Sequence, residues 1–346
     1  MKALEWIEGS NKTALVFHID TDGCCSAALV GKLLKKLGKT IDLYIGSIPA
    51  LPDAVVSKLL YGMYDLVVFV DLSVDQQSEK IREIANNSKV LVIDHHTITE
   101  NMNSATVCHM NPLLDGVTKY YPASKYIRDL FGLEEYDWIA SIGVIGDSGV
   151  PDWKEFMTEA FKKYGWKTWN DPNARDTIPA EADEMIGSAR ILHSSAGAEK
   201  AFEILLASES IGEFFEKAGE LRVWHRKVQQ EIKKELGNFE SSSEKVGSIL
   251  IYGLRSEMNL GSALSTIVSN SHPDRTVLIY EKYNHSMKFH VRRGDGKLDL
   301  SRSVRDNIKG LRQSTGGGHR NAAGGQVVED DWERFRSRLV RAISRV

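Results

Sequence analysis

TALVFHIDTDGCCSAALVGKLLKKLG, residues 13–38, is the stretch on which the fold turns. Residues 13–20 form a β-type run with little polar alternation. After the turn residues at 20–23, Ser26 to Leu37 has helical spacing and stops at Gly38. The same texture continues outward. IDLYIGSI (41–48), LVVFVD (66–71), VLVIDHH (90–96) and ATVCHM (105–110) are further short apolar runs, with helical spacing at 79–86, 122–131 and 135–147 between or after them. Apolar runs joined by helical crossovers predict a parallel sheet covered on both faces, so the N-terminal part reads as a doubly wound α/β domain.

Beyond residue 150 the pattern changes. Residues 151–185 hold Trp153, Trp166 and Trp169 among prolines, and 199–236 reads as one or two amphipathic helices. GNFESSSEKVG (237–247) has the composition of a linker. GSILIYGL, RTVLIYEKY and MKFHVRR then read as strands around a helix at 258–270, a smaller second α/β domain. The expected division is 1–185, a metal-binding catalytic domain; 186–246, a helical connector and linker; and 247–346, a substrate-binding domain, with the active-site cleft between the first and last.

With 346 residues, 42% apolar and 26% charged, the composition excludes disorder and a disulfide scaffold. Three cysteines, two of them adjacent, fit a reducing cytoplasm. No run is long enough to cross a membrane and MKALEWIEGSNK is not laid out as a signal peptide, so the expectation is a cytoplasmic protein without membrane partners. The net charge of −3 conceals an acidic front (13 Lys/Arg against 19 Asp/Glu in 1–150) and a basic tail (17 against 10 in 248–346). That asymmetry suits a carboxylate metal site beside a surface that attracts anions.

The apolar runs end in chemistry. The first closes with His18, Asp20 and Asp22, the next with Asp71, another with Asp94, His95 and His96, and the stretch ASIGVIGDSG (140–149) delivers Asp147. In an open parallel sheet the carboxyl ends of the strands meet at one edge, where ligands bind. Clustered carboxylates repel unless cations neutralise them, and oxygen donors with imidazole suit Mn²⁺ or Mg²⁺ better than a structural zinc. In the tail, TGGGHRNAAGG (315–325) sets Gly316, Gly317 and Gly318 before His319. Consecutive glycines let backbone N–H groups approach an anion, and His319 would donate to a phosphate oxygen. Residues 288–320 hold nine Lys/Arg against three Asp/Glu. Lys288, Arg302, Arg305, Lys309 and Arg312 would extend a groove for a nucleic-acid backbone, while Trp166 with Trp169, or Tyr280 with Tyr283, read as base-stacking pairs or as core.

DTDG followed by SAAL, VFVD, IDHH and IGD, with the GGGH tail, resembles the DHH phosphoesterases and their associated C-terminal domain, and looks most like archaeal RecJ-like nucleases and the oligonucleotide-degrading nanoRNases. The resemblance implies two Mn²⁺ ions, with Mg²⁺ as the alternative. Asp20 and Asp71 would hold one, and Asp22, Asp71, His95 and Asp147 the other, with Asp71 bridging. It implies that His96 faces the scissile phosphate, that Asp94 orients a histidine ring, and that an arginine near Arg292 meets the substrate. A histidine that several members carry four residues before the first Asp is Val16 here, and His18 is the candidate replacement. The implied activity is hydrolysis of single-stranded DNA or RNA from an end by water activated between two metals. The alternatives are a nanoRNase or nucleotide 3′-phosphatase acting on short substrates, and a replisome scaffold. Replication proteins and further copies of the chain are the expected protein partners.

Overall fold

The computed structural model describes residues 2–344, so the outermost positions of the expected domain limits, 1 and 345–346, lie outside the described residues. The chain forms two compact units, Met1–His225 and Arg226–Val346.

In the first unit, β1 (Thr13–His18), β2 (Leu43–Ser47), β3 (Leu66–Val70), β4 (Lys89–Ile93) and β5 (Val107–Met110) form one sheet in the order β2-β1-β3-β4-β5. Every pairing is parallel. Alternation divides the strand residues between two cores. Leu15, Phe17, Leu66, Val68, Val70, Leu91 and Ile93 face helices Thr21–Lys36, Ala123–Phe131, Asp137–Gly146 and Ile178–Ala207. Ala14, Val16, Val67, Phe69, Val90 and Val92 face helices Asp53–Gly62 and Ser78–Ala85. Both faces are buried, which is why the runs lack polar alternation. The doubly wound parallel sheet expected from sequence is what forms. Its winding reverses between β1 and β3, so their carboxyl ends flank the crevice where such sheets bind ligands.

In the second unit, β6 (Glu244–Val246), β7 (Ile249–Gly253), β8 (Thr276–Tyr283), β9 (Ser286–Arg292), β10 (Thr315–His319) and β11 (Ala322–Val328) run in the order β10-β11-β9-β8-β7-β6. Only β7–β8 is parallel among these pairs. Phe289, Val291, Leu278 and Ile251 pack with Val304, Trp332, Phe335 and Leu339 of helices Leu300–Ile308 and Trp332–Ile343. The alternate residues of β9, Lys288, His290 and Arg292, lie on the other face, with helix Gly261–Ser271.

One local expectation is corrected. Residues 237–247 are no linker: helix Gly219–Ser242 runs through most of them, followed by β6. Ser241 and Ser242 hydroxyls donate to the carbonyls of Gly237 and Asn238, while Phe239 is buried against Tyr252, so the serine run stays helical. The division expected at 185/186 falls inside helix Ile178–Ala207. The GGGH segment is strand β10, in an antiparallel hairpin with β11. Gly318 has φ +140°, which admits little but glycine, and a Cβ on Gly325 would collide with the Thr315 carbonyl.

Candidate metal centre

β1 ends on His18 and runs directly into Asp20, the N-cap of helix Thr21–Lys36, whose Oδ1 accepts from Gly23 N at 3.0 Å. Gly23 is required there because a Cβ would meet the His18 carbonyl. Asp22, in the first turn, is buried and accepts from Ala123 N (2.6 Å), Ser124 N (3.2 Å) and the Ser124 hydroxyl. Asp71 follows β3 with φ +57°, anchored by its N–H to Ile93 O at 2.9 Å. Asp and Asn tolerate that left-handed conformation better than most residues. Asp94, His95 and His96 follow β4.

These side chains converge. His18 Nδ1 lies 2.7 Å from Asp20 Oδ2 and 3.5 Å from Asp71 Oδ2. His95 Nε2 lies 3.1 Å from Asp71 Oδ1 and 3.6 Å from Asp147 Oδ2. Their donor atoms form three groups, each within 4.8 Å: His18, Asp20 and Asp71; Asp22, His95 and Asp147; and Asp71, Asp94, His95 and His96. Asp71 is common to the first and third, His95 to the second and third. The Asp94 carboxylate holds His96 Nδ1 at 2.7 Å, leaving Nε2 as that ring's other polar atom. Val16 is fully buried within β1, whereas His18, two residues on, sits at the strand's carboxyl end, so His18 and not position 16 reaches the site. Asp147 reaches the cluster from the C-cap of helix Asp137–Gly146 rather than from a strand end.

The donors fit a divalent cation. Asp71 Oδ1 and His18 Nδ1 are buried and make no well-aligned hydrogen bond, although His95 Nε2 lies 3.1 Å from the first and Asp20 Oδ2 2.7 Å from the second. A buried polar atom without a partner is costly, and a cation between such atoms removes that cost. Oxygen and imidazole donors without a thiolate suit a hard or borderline ion. Protonation shows the same strain. Burial pulls His95 down, but Asp71, Asp147 and Asp22 carry it to about 10. Burial with the Asp71 charge pushes Asp147 up to about 7, against the opposing pull of His95. Burial, Asp71 and Asp147 hold Asp22 well above the carboxylate range. Without a cation, the carboxylates are relieved by protons.

Several neighbours escape a motif-based reading. Tyr120 Oη donates to Asp147 Oδ2 at 2.6 Å and its ring meets His95 edge-on at 5.5 Å. Ser124 braces Asp22, and Arg190 contributes positive charge near Asp20. None belongs to a recurring motif; only the doublet Tyr120-Tyr121 before a helix hints at one. Cys24 and Cys25 are fully buried, and burial pushes both thiols up, so they are packing residues.

In the second unit, Arg292 Nε donates to Ser265 Oγ (3.1 Å) and Nη2 to Ser262 Oγ (3.3 Å), with no carboxylate partner among the described residues. Arg292 pairs with Ala322, and Ala322 with His319, so Arg292 and exposed His319 share one sheet face two strands apart. Trp166 and Trp169 pack on Phe161, and Tyr280 on Trp332, so those aromatics serve the cores.

Residues 12–131 match the model of the DHH family, N-terminal domain. The chain carries a DHH-family N-terminal domain. Its fold is similar to that of Thermus thermophilus RecJ in complex with Mn²⁺, with a TM-score of 0.74 and 20% identity, covering 99% of this chain and 53% of that one. It is also similar to an exonuclease RecJ bound to manganese (TM-score 0.70, 19% identity, 100% and 94% covered). By sequence it is 27% identical over 143 residues to an uncharacterized protein of Methanocaldococcus jannaschii, covering 38% of this chain and 32% of that one. The DHH chain thus spans about half the length of the Thermus RecJ and a third of the archaeal protein. At these structural identities the likeness is one of fold.

Proposed function

We propose that this DHH protein is a divalent-metal-dependent phosphodiesterase that hydrolyses single-stranded nucleic acid from an end. The observation that carries the reading is Asp71: a buried carboxylate at the sheet's switch point, common to two donor groups, with one oxygen that makes no well-aligned hydrogen bond. The RecJ relatives bound to manganese support the choice of ion and chemistry. His18, Asp20 and Asp71 would hold one Mn²⁺, and Asp71, Asp22, His95 and Asp147 a second. Bound there, the two ions would lower the pKa of water towards neutrality and polarise a phosphoryl group.

The side chains have distinct tasks in this reading. Ser124 and the 123–124 backbone fix Asp22, and Tyr120 fixes Asp147, so the donors are held before any ion arrives. Burial lowers the pKa of His96, but its hydrogen bond to the Asp94 carboxylate and that charge raise it by more. This favours the imidazolium, whose Nε2–H would donate to a phosphate oxygen or to the leaving group. In the second unit, Arg292 is braced by two serines and keeps its charge uncompensated for a phosphate, with His319 on the same face. Gly316 to Gly318 would bring strand β10 close to the same anion.

The test is hydrolysis of single-stranded DNA and RNA ladders of two to thirty nucleotides, labelled at one end, with Mn²⁺ and with chelator. Metal-dependent shortening of long strands from one end is expected. Cleavage confined to the shortest oligomers or to a 3′-phosphate would establish the short-substrate alternative. Replisome-protein binding without cleavage at any length would establish the scaffold.

A further inference from the structure

In the first unit, lined in part by Lys119 next to Tyr120 in the chain, lies a cavity of about 410 Å³ that the proposed function does not use. Its lining includes Lys119, Lys125, Arg128, Trp153, Lys154 and Phe156. Lys125 is buried, bonded to Asp129, with its ammonium 4.4 Å from the Trp153 ring centroid and 4.6 Å from that of Phe156. Arg128 is committed to Asp137 and Asp129. Lys119 and Lys154 are exposed and have no ion-pair partner among the described residues. The carboxylates of Asp152, Glu155 and Glu159 also line the cavity, at exposed positions, and none pairs with either lysine. Lys119 instead lies over the Trp153 ring, 3.8 Å from its centroid.

Tyr120 links the cavity to the metal centre. Trp153 Nε1 donates to Tyr120 O at 2.7 Å, and the same tyrosine donates from Oη to Asp147. We propose that this cavity is a subsite for the nucleotide next to the reacting one in a single-stranded substrate, with Trp153 stacking its base and Lys119 and Lys154 meeting its phosphates. An aromatic platform flanked by unpaired cations is what recognises single strands without regard to sequence. In the free protein Lys119 covers the ring. An exposed lysine swings aside at little cost, exchanging a cation–π contact for a phosphate. The proposal rests on the assignment of a nucleic-acid substrate, and it extends that assignment to recognition of the nucleotide beside the reacting one.

The test is binding in chelator, where hydrolysis does not interfere. Anisotropy of a labelled twelve-nucleotide single strand is measured for the whole protein and for Lys119→Glu, Lys154→Glu, Trp153→Leu and Trp153→Phe. Lys58→Glu, an exposed lysine of helix Asp53–Gly62, is the control. Each lysine reversal at the cavity should weaken binding several-fold and reduce the slope of log K against log salt by about 0.7, the value for one phosphate on a single strand. Trp153→Leu should cost roughly tenfold or more, and Trp153→Phe clearly less, as loss of base stacking requires. If Trp153→Leu fails to fold, the lysine variants and Trp153→Phe decide. The proposal is overturned if the cavity variants bind like Lys58→Glu, or if the protein binds no strand. Binding that depends on Lys119 in a protein that cleaves nothing would refute the catalytic reading and leave the subsite standing. Cleavage with indifferent Lys119, Lys154 and Trp153 would do the reverse.

Discussion

Mn²⁺ should stabilise the first unit in a way that steepens with pH below neutrality, and Asp71→Asn should abolish the effect. In the metal-free protein His95 titrates at about 10 and Asp147 at about 7, both raised by the crowded carboxylates. At pH 6 a cation must therefore displace a full proton from His95 and most of one from Asp147. Each displaced proton changes affinity about tenfold per pH unit, or about 1.4 kcal/mol. Raising the pH from 6 to 7 should then increase affinity by more than tenfold. Above pH 7 Asp147 is mostly ionised and the slope falls towards that of His95 alone. A ligand at a hundred times its Kd stabilises by about 2.7 kcal/mol. For a unit of 225 residues, at about 2–4 °C per kcal/mol, that is a rise in Tm of about 5–11 °C. Asn is isosteric with Asp and accepts the positive φ of position 71, so the variant should fold. Removing one of four crowded charges should leave its metal-free Tm no lower than that of the native protein. Differential scanning calorimetry at pH 6, 7 and 8, with Mn²⁺ or chelator, reads all of this. The reasoning is refuted if Asp71→Asn keeps the full shift, or if the native shift is the same at pH 6 and 7.

Other perturbations test separate parts of the account. Gly143→Ala would place a Cβ against Ser124 Oγ and Asp22 Oδ1. It should cost about 1–3 kcal/mol by overpacking, and calorimetric titration should show weakened Mn²⁺ binding because Asp22 is displaced. Glu235 is fully buried and accepts from Tyr252 Oη, Asn238 Nδ2 and Arg255 N. Glu235→Ala leaves those donors unpaired and should destabilise the second unit by about 1–3 kcal/mol in urea denaturation. Asp129 is raised by burial but lowered further by Lys125, Tyr121 and Arg128, so it sits below the usual carboxylate range. Its stabilisation is present above the unfolded carboxylate pKa and lost as pH falls towards the folded one. The Tm gap between native protein and Asp129→Asn should therefore narrow between pH 5 and pH 3.

The N-terminal fold was legible because both sheet faces are buried. Leu15 and Val16 go to different cores, as do Leu66 and Val67, so no polar residue interrupts the runs and the parallel sheet shows in the one-dimensional pattern. The cluster of candidate donors followed from it, since His18, Asp20, Asp71 and His95 lie at strand ends by chain position alone. Asp147 was found by motif, but its approach from a helix C-cap is a matter of packing between helices Thr21–Lys36 and Asp137–Gly146. Residues 237–247 misled because serine signals loops by its backbone preferences, but Ser241 and Ser242 bond back to their own helix. Trp153 and Tyr120 had no sequence signal because their significance is a hydrogen bond across thirty-three residues.

The central claim is that the edge built on Asp71 is a divalent-metal centre for phosphodiester hydrolysis. Its most direct test is the rate of nucleotide release from end-labelled single-stranded DNA by native protein and by Asp71→Asn, each with Mn²⁺ and with chelator. The account predicts release only from native protein with Mn²⁺, and a fall of at least a hundredfold in the variant. Undiminished, Mn²⁺-dependent release by Asp71→Asn would contradict it.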